Sequence, residues 1–170
     1  MFITVEEMKS VLYEYRMLEI VENDTDIVED AILSAEAEVR SYFDAANARR
    51  ETAGLTVQQY AAWFMYDVDA IFSATGAQRD HFVVRLVQRV AAWNLCELCN
   101  ADIVYNHVKE RYDATIATLE KIAGMGEWKS SRLVLNMLPR LGDDDEVAQG
   151  TTETKPFRMV SRKKFNHEEL

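Results

Sequence analysis

The segment RDHFVVRLVQRVAAWNLCEL, running from Arg79 to Leu98, is apolar almost all the way round when wound as a helix. Phe82, Val83, Leu86, Val87, Val90, Ala91, Trp93, Leu95 and Leu98 are interrupted mainly by Arg85, Gln88, Arg89 and Glu97. A helix without a clear polar face belongs in the middle of a bundle. At 1.5 Å per residue, one of this extent reaches about 30 Å, long enough to be a spine. Asn100 to Asn106 separates it from Val108, Tyr112, Ile116, Leu119 and Ile122, whose spacing predicts an amphipathic helix ending at Gly124 and Gly126.

Upstream, Thr4 and Glu7 stand at the spacing of a capping box, which predicts a short helix from about Val5 and a further turn or two between Tyr13 and Val21. Asn23, Asp24 and Thr25 offer an N-cap for the next helix, where Val28, Ala31, Ile32, Ala35, Val39, Tyr42, Phe43 and Ala46 recur at helical spacing. From Asn47 to Thr56 the pattern lapses, and Arg49, Arg50, Glu51 and Gly54 read as an exposed connection. Gln58 to Phe64 is a short aromatic-rich turn, and Tyr66 to Gly76 reads as a compact turn closing on a glycine at the C′ position of a short helix. Periodicity fades after Trp128.

Six glycines and two prolines in 170 residues supply little of the turn chemistry that a strand-built fold needs. The expected fold is all-α: a small helical bundle with long central helices over residues 1–141, then an acidic linker and an extended basic C-terminal tail over residues 142–170. A hydrophobic content of 48% is enough for one core. No uncharged apolar run approaches the roughly 18 to 20 residues needed to cross a bilayer, and Met1 to Glu7 has neither a basic start nor a leader core. A cytosolic protein without membrane contact is expected.

The net charge of −10 is unevenly spread. Residues 155–170 hold five basic residues against Glu168 and Glu169, a net +3, so the remainder carries −13. An acidic body repels phosphate, which argues against sequence-specific or tight nucleic-acid binding. The tail interleaves Phe157, Arg158, Arg162, Lys163, Lys164 and Phe165, a basic and aromatic set suited to ordering on an acidic partner surface. These six are the candidate partner-binding residues.

Catalytic chemistry finds little purchase. Cys96-Glu97-Leu98-Cys99 has the spacing of redox and zinc motifs, but it falls late in a helix rather than at an N-terminus, where amide dipoles stabilise a thiolate. Zinc needs further ligands, and His81, His107 and His167 show no paired spacing, although His107 could approach the cysteines across the inter-helix turn. Asp143 to Glu146 lacks the alternating ligands and central glycine of a calcium loop. There is no phosphate-cradling glycine loop and no nucleophile elbow. The expectation is a protein that is not an enzyme, with no catalytic residue, metal or cofactor.

Taken together, Phe2-Ile3-Thr4, the helix Asp26 to Tyr42 with Ala31, Ala35, Glu38, Val39 and Tyr42, and above all Tyr66-Asp67-Val68-Asp69-Ala70-Ile71-Phe72 followed by Ala74-Thr75-Gly76 and Arg79, resemble the Mu-like head–tail connector family. These are small helical neck proteins of tailed phages and prophages, also described as head-completion or adaptor proteins. Val83 to Leu98 falls where the family has its central apolar helix. Val108, Arg111-Tyr112, Ala114, Leu119, Ile122 and Gly124 resemble its closing helix, and Phe157-Arg158 with Ser161 to His167 resemble its basic end.

The resemblance implies a structural virion component that joins as a ring between the portal and the tail, without catalysis. The implied partners are the portal protein, tail-completion proteins and further copies of the chain. The implied locations are the bacterial cytoplasm during assembly and then the virion neck. An alternative is a helical protein–protein adaptor or regulatory module; a metalloenzyme using Cys96, Cys99 and His107 ranks behind both.

Overall fold

In the computed structural model the residues described are 1–12, 17, 21, 24–52, 65–98, 105–125, 135 and 138–141. They form an all-α fold of five α-helices, with no strand among them. These are α1 (Val5–Met8), α2 (Thr25–Thr52), α3 (Val68–Ser73), α4 (His81–Leu98) and α5 (Tyr105–Ala123), with a 3₁₀ turn at Gly76–Gln78. α2, α4 and α5 pack pairwise on one another, while α1 lies against α2 and α4, and α3 against α2. A single contiguous core runs from Phe2 through to Leu138. No helix among the described residues is long and apolar enough to cross a membrane.

The first four helices begin at side-chain caps. The Thr4 side chain accepts from the Glu7 N–H and the Glu7 carboxylate accepts from the Thr4 N–H, so the capping box at α1 is complete. Asp24 Oδ1 accepts from the Asp26 N–H at 3.0 Å at the head of α2. Asp67 Oδ1 caps α3 through the Ala70 N–H at 2.9 Å, and Asp80 Oδ1 caps α4 through Phe82 and Val83. α5 ends in a Schellman motif: Gly124 has φ +68°, and the Met125 N–H donates to the Glu120 carbonyl at 2.9 Å. A β-carbon at Gly124 would also run into the Arg49 guanidinium.

α4 is the spine that its composition predicts. Val83, Leu86, Val87, Val90, Ala91, Ala92, Trp93, Leu95 and Cys96 are buried, together with Gln88. Gln88 is not stranded there. Its Nε2 donates to the Glu7 carbonyl at 2.9 Å and to Ser10 Oγ at 3.2 Å, fastening α1 onto α4. α2 turns Val28, Ala31, Ile32, Ala35, Val39, Phe43 and Ala46 inward, in agreement with their spacing.

Two boundaries differ from the sequence reading. α2 does not stop near Ala46 but continues to Thr52 through the polar run taken as a connection. The apolar pattern lapses there because polar contacts hold the last turns. Asn47 donates to the Tyr66 carbonyl and accepts from the Tyr66 N–H, both at 2.9 Å, and Arg50 lies over the Tyr66 ring at 4.5 Å. Gly76 is not the C′ residue of α3, which ends at Ser73 with Ala74 as its cap; Gly76, at φ +57°, opens the 3₁₀ turn instead. The expected turns at 58–64 and at 13–21, apart from buried Met17 and Val21, lie outside the described residues.

Candidate functional site

The ionic and aromatic interactions of greatest sequence separation gather at one end of the bundle, where residues 1–12, α3 and the head of α4 meet α2. Arg79 is the centre of this clasp. Its Nη1 donates to the Phe2 carbonyl at 2.7 Å and to Glu7 Oε2 at 2.9 Å, its Nη2 pairs with Glu7 Oε1, and its guanidinium lies 5.9 Å from the centre of the Phe2 ring. A forked guanidinium–carboxylate pair of this kind is stronger and more directional than a single-contact ion pair. The Arg79 hydrogen bonds hold the Glu7 carboxyl down to about 2, well below its ordinary value of 4.5, and the same pairing pushes Arg79 up.

Phe2 is held on its other sides as well. Its N–H donates to Glu36 on α2 at 2.8 Å, and its ring meets Phe72 at 5.2 Å. Phe72 in turn contacts Phe43 edge-on at 6.1 Å, and Phe43 meets Tyr66 edge-on at 5.2 Å. Arg40 lies over Phe72 and pairs with Asp69. Tyr66 is 1% exposed and is the junction with the end of the described chain. Its OH accepts from the Leu135 N–H at 2.9 Å, it forms an isolated antiparallel bridge with Arg140, and the next residue, Asp67, donates its N–H to the Pro139 carbonyl.

A second cluster lies where α2, α4 and α5 converge. Tyr112 stacks on Trp93 with ring centres 5.1 Å apart and donates its OH to Glu38 at 3.1 Å. Burial, and then the negative charges of Glu38 and its neighbours, push the Tyr112 hydroxyl up to about 12, and burial with Glu38 and Glu120 raises Tyr42 as well. Both hydroxyls therefore stay protonated at neutral pH. Beside Trp93, the Asn94 Nδ2 is buried and has no hydrogen-bond partner among the described residues.

The sequence-derived candidates fall as follows. Phe157, Arg158, Arg162, Lys163, Lys164 and Phe165 lie outside the described residues, as do Cys99 and His167. Cys96 is buried on α4, whereas the His107 side chain is 87% exposed on α5, 3.8 Å from Glu110. His81 is exposed at the head of α4. Among the described residues no group of three or more His, Cys, Asp or Glu is placed to hold a metal ion. Sequence reasoning missed the pairing of Arg79 with Glu7 and the role of Asn47. The only advance signal was that Glu7 already belonged to a capping box and Arg79 followed a glycine turn.

No family model matches the chain, and no curated protein or solved structure is found to match it.

Proposed function

We propose that this chain is a structural head–tail connector of a tailed phage or prophage, forming a ring between portal and tail and catalysing no reaction. The observation that supports this reading is the convergence of the residues carrying the resemblance. Phe2-Ile3-Thr4, Tyr66 to Phe72 and Arg79 are scattered through the first half of the chain, yet they are partners in one clasp.

The clasp suits a ring subunit that transmits force. It ties the N-terminal segment, α3 and residues 138–141 to α2 and α4, so force applied at any one of them is shared with the core. The acidic body suits a passage along which DNA slides without adhering, because phosphate is repelled at every contact. The basic tail, including Phe157, Arg158, Arg162, Lys163, Lys164 and Phe165, is the segment expected to order on the portal protein or an adjacent copy.

The test is electron microscopy of the purified chain mixed with the portal ring from the same genetic element. The expected result is an added symmetric layer that is lost when residues 155–170 are removed. A layer that persists without the tail keeps the connector role and moves the contact to the helical body. A chain that adds nothing to the portal overturns the reading and favours the adaptor module.

A further inference from the structure

α4 and α5 expose an arginine face. Phe82, Arg85 and Arg89 recur at i, i+3 and i+7 on α4 and therefore stack along one side of it. Phe82 is 41% exposed, Arg85 is exposed and Arg89 is half-buried. Arg111 of α5 flanks them: the Arg89 guanidinium is held below its ordinary range first by burial and then by the like charges of Arg85 and Arg111. None of the three guanidiniums has an ion-pair or hydrogen-bond partner among the described residues, whereas Arg40 and Arg79 each have a carboxylate. In a chain with 29 acidic residues against 19 basic, three arginines gathered without a counter-charge among the described residues make a basic patch that an acidic surface complements.

The complementary surface lies on α2. Asp26, Glu29, Asp30 and Leu33 recur at i, i+3, i+4 and i+7, all are exposed, and their side chains make no ion pair among the described residues. This stripe points away from α4 and α5, because α2 buries Val28, Ala31, Ile32 and Ala35 on its other side. The two stripes have the same length, seven residue steps or about 10 Å of helix. They also have opposite order, with the apolar residue first on α4 and last on α2. Laid antiparallel, one register sets Phe82 against Leu33, Arg85 against Asp30 and Arg89 against Asp26, with Arg111 and Glu29 on the flanks.

We propose that the arginine face of one copy docks on the acidic α2 face of the next copy, with Phe82 and Leu33 as the apolar pair at one end of the contact. The two faces differ, so the contact is heterologous and repeats head to tail, the arrangement that closes into a ring when the rotation divides a full turn. The ring geometry rests on the connector reading; the contact itself is measurable without a portal.

The experiment is sedimentation velocity of the full chain over a range of concentrations and salt, with two charge-reversed variants, R85E/R89E and D26R/D30R. Wild-type chain is expected to self-associate, and to do so less as salt rises, since the Debye length shortens from about 10 Å at 0.1 M to about 3 Å at 1 M. Each variant alone sets like charges face to face and is expected to associate at least a hundredfold more weakly, with helix content by circular dichroism unchanged. An equimolar mixture of the two makes every junction complementary again and is expected to recover assembly. Association undiminished in either variant, or a mixture that stays monomeric while wild type assembles, overturns the proposed contact. A wild-type chain that remains monomeric throughout, and whose layer on the portal is unaffected by R85E/R89E, overturns it as well. Failure of the connector reading looks different: self-association and its rescue persist, but no layer adds to the portal.

Discussion

The seam between α2 and α4 and the clasp at the end of the bundle hold the same molecule together by opposite means. Along the seam, α2 contributes Val28, Ala31, Ile32, Ala35 and Val39 and α4 contributes Val83, Leu86, Val87, Val90 and Leu95 to one core, nearly all of them fully buried. Its attraction is non-directional and scales with the apolar area removed from water. The clasp has short elements, of which α1 has only four residues, and depends on directional groups: a forked arginine, a capping box and an aromatic chain from Phe2 to Tyr66. Losing seam packing should weaken the whole domain, whereas losing one clasp partner should release one end of it.

The largest effect is therefore expected in the seam. Leu95 is completely buried, so Leu95→Ala removes its transfer free energy and leaves a cavity, a loss of about 2–5 kcal/mol. Urea unfolding followed by circular dichroism is expected to show one cooperative transition moved to lower denaturant with its slope unchanged. A second transition, with α1 and the clasp unfolding separately, would mean that the two regions are less coupled than the shared core indicates.

Arg79→Met comes next. It keeps much of the aliphatic stem but strips the Phe2 carbonyl and both Glu7 oxygens of their donor. A cost of about 1.5–3 kcal/mol is expected, the range for hydrogen bonds to charged groups. Its signature should be local: amide exchange accelerated in residues 2–12 and 66–73, with the middle of α4 still protected. Uniform acceleration along α4 would erase the distinction between clasp and seam.

These two regions also differ in how far they could be read from sequence. α4 was legible because a helix apolar over most of its circumference belongs against a core, and the α1 cap because its two halves are three residues apart. The clasp was not, since Arg79 and Glu7 are 72 residues apart and neither carries a local mark of the other. The end of α2 was misread for a related reason: Asn47 is ordinarily a loop former, and only the backbone of Tyr66, 19 residues on, gives it a place in a helix. The tail, the segment from which a partner surface was inferred, lies outside the described residues, and the clasp emerged only from tertiary contacts.

Acid titration sharpens the contrast, because the seam residues named above are all apolar. The folded-state pKa of Glu7, about 2, lies below its ordinary 4.5. Its contribution is therefore complete above pH 4.5 or so and is lost as the pH falls from there through about 2. The full shift corresponds to about 3 kcal/mol. The Glu7 side chain is still 31% exposed, so screening reduces the expected value to about 1–2 kcal/mol. Glu7→Gln is expected to be less stable than wild type by that amount at pH 6 and to converge with it towards pH 2, in denaturant titrations at a series of pH values. A difference that stays constant across this range would assign the loss to the capping box rather than to the charge.

The smallest effect concerns a polar side-chain atom of α4 left unsatisfied among the described residues. The Asn94 amide nitrogen is buried without a partner there, and an unmade hydrogen bond carries the desolvation cost of its group with nothing in return. Asn94→Leu keeps nearly the same shape and removes the donor, so thermal unfolding should show a gain of about 0.5–1 kcal/mol with the Trp93–Tyr112 stack undisturbed. Tryptophan fluorescence checks the second condition. The same exchange at Gln88, which is buried but bonded to Glu7 and Ser10, should instead destabilise, because there the loss falls on the fastening of α1. Opposite signs for two amides six residues apart on one helix would show that polar groups are tolerated in the spine only where they reach the clasp.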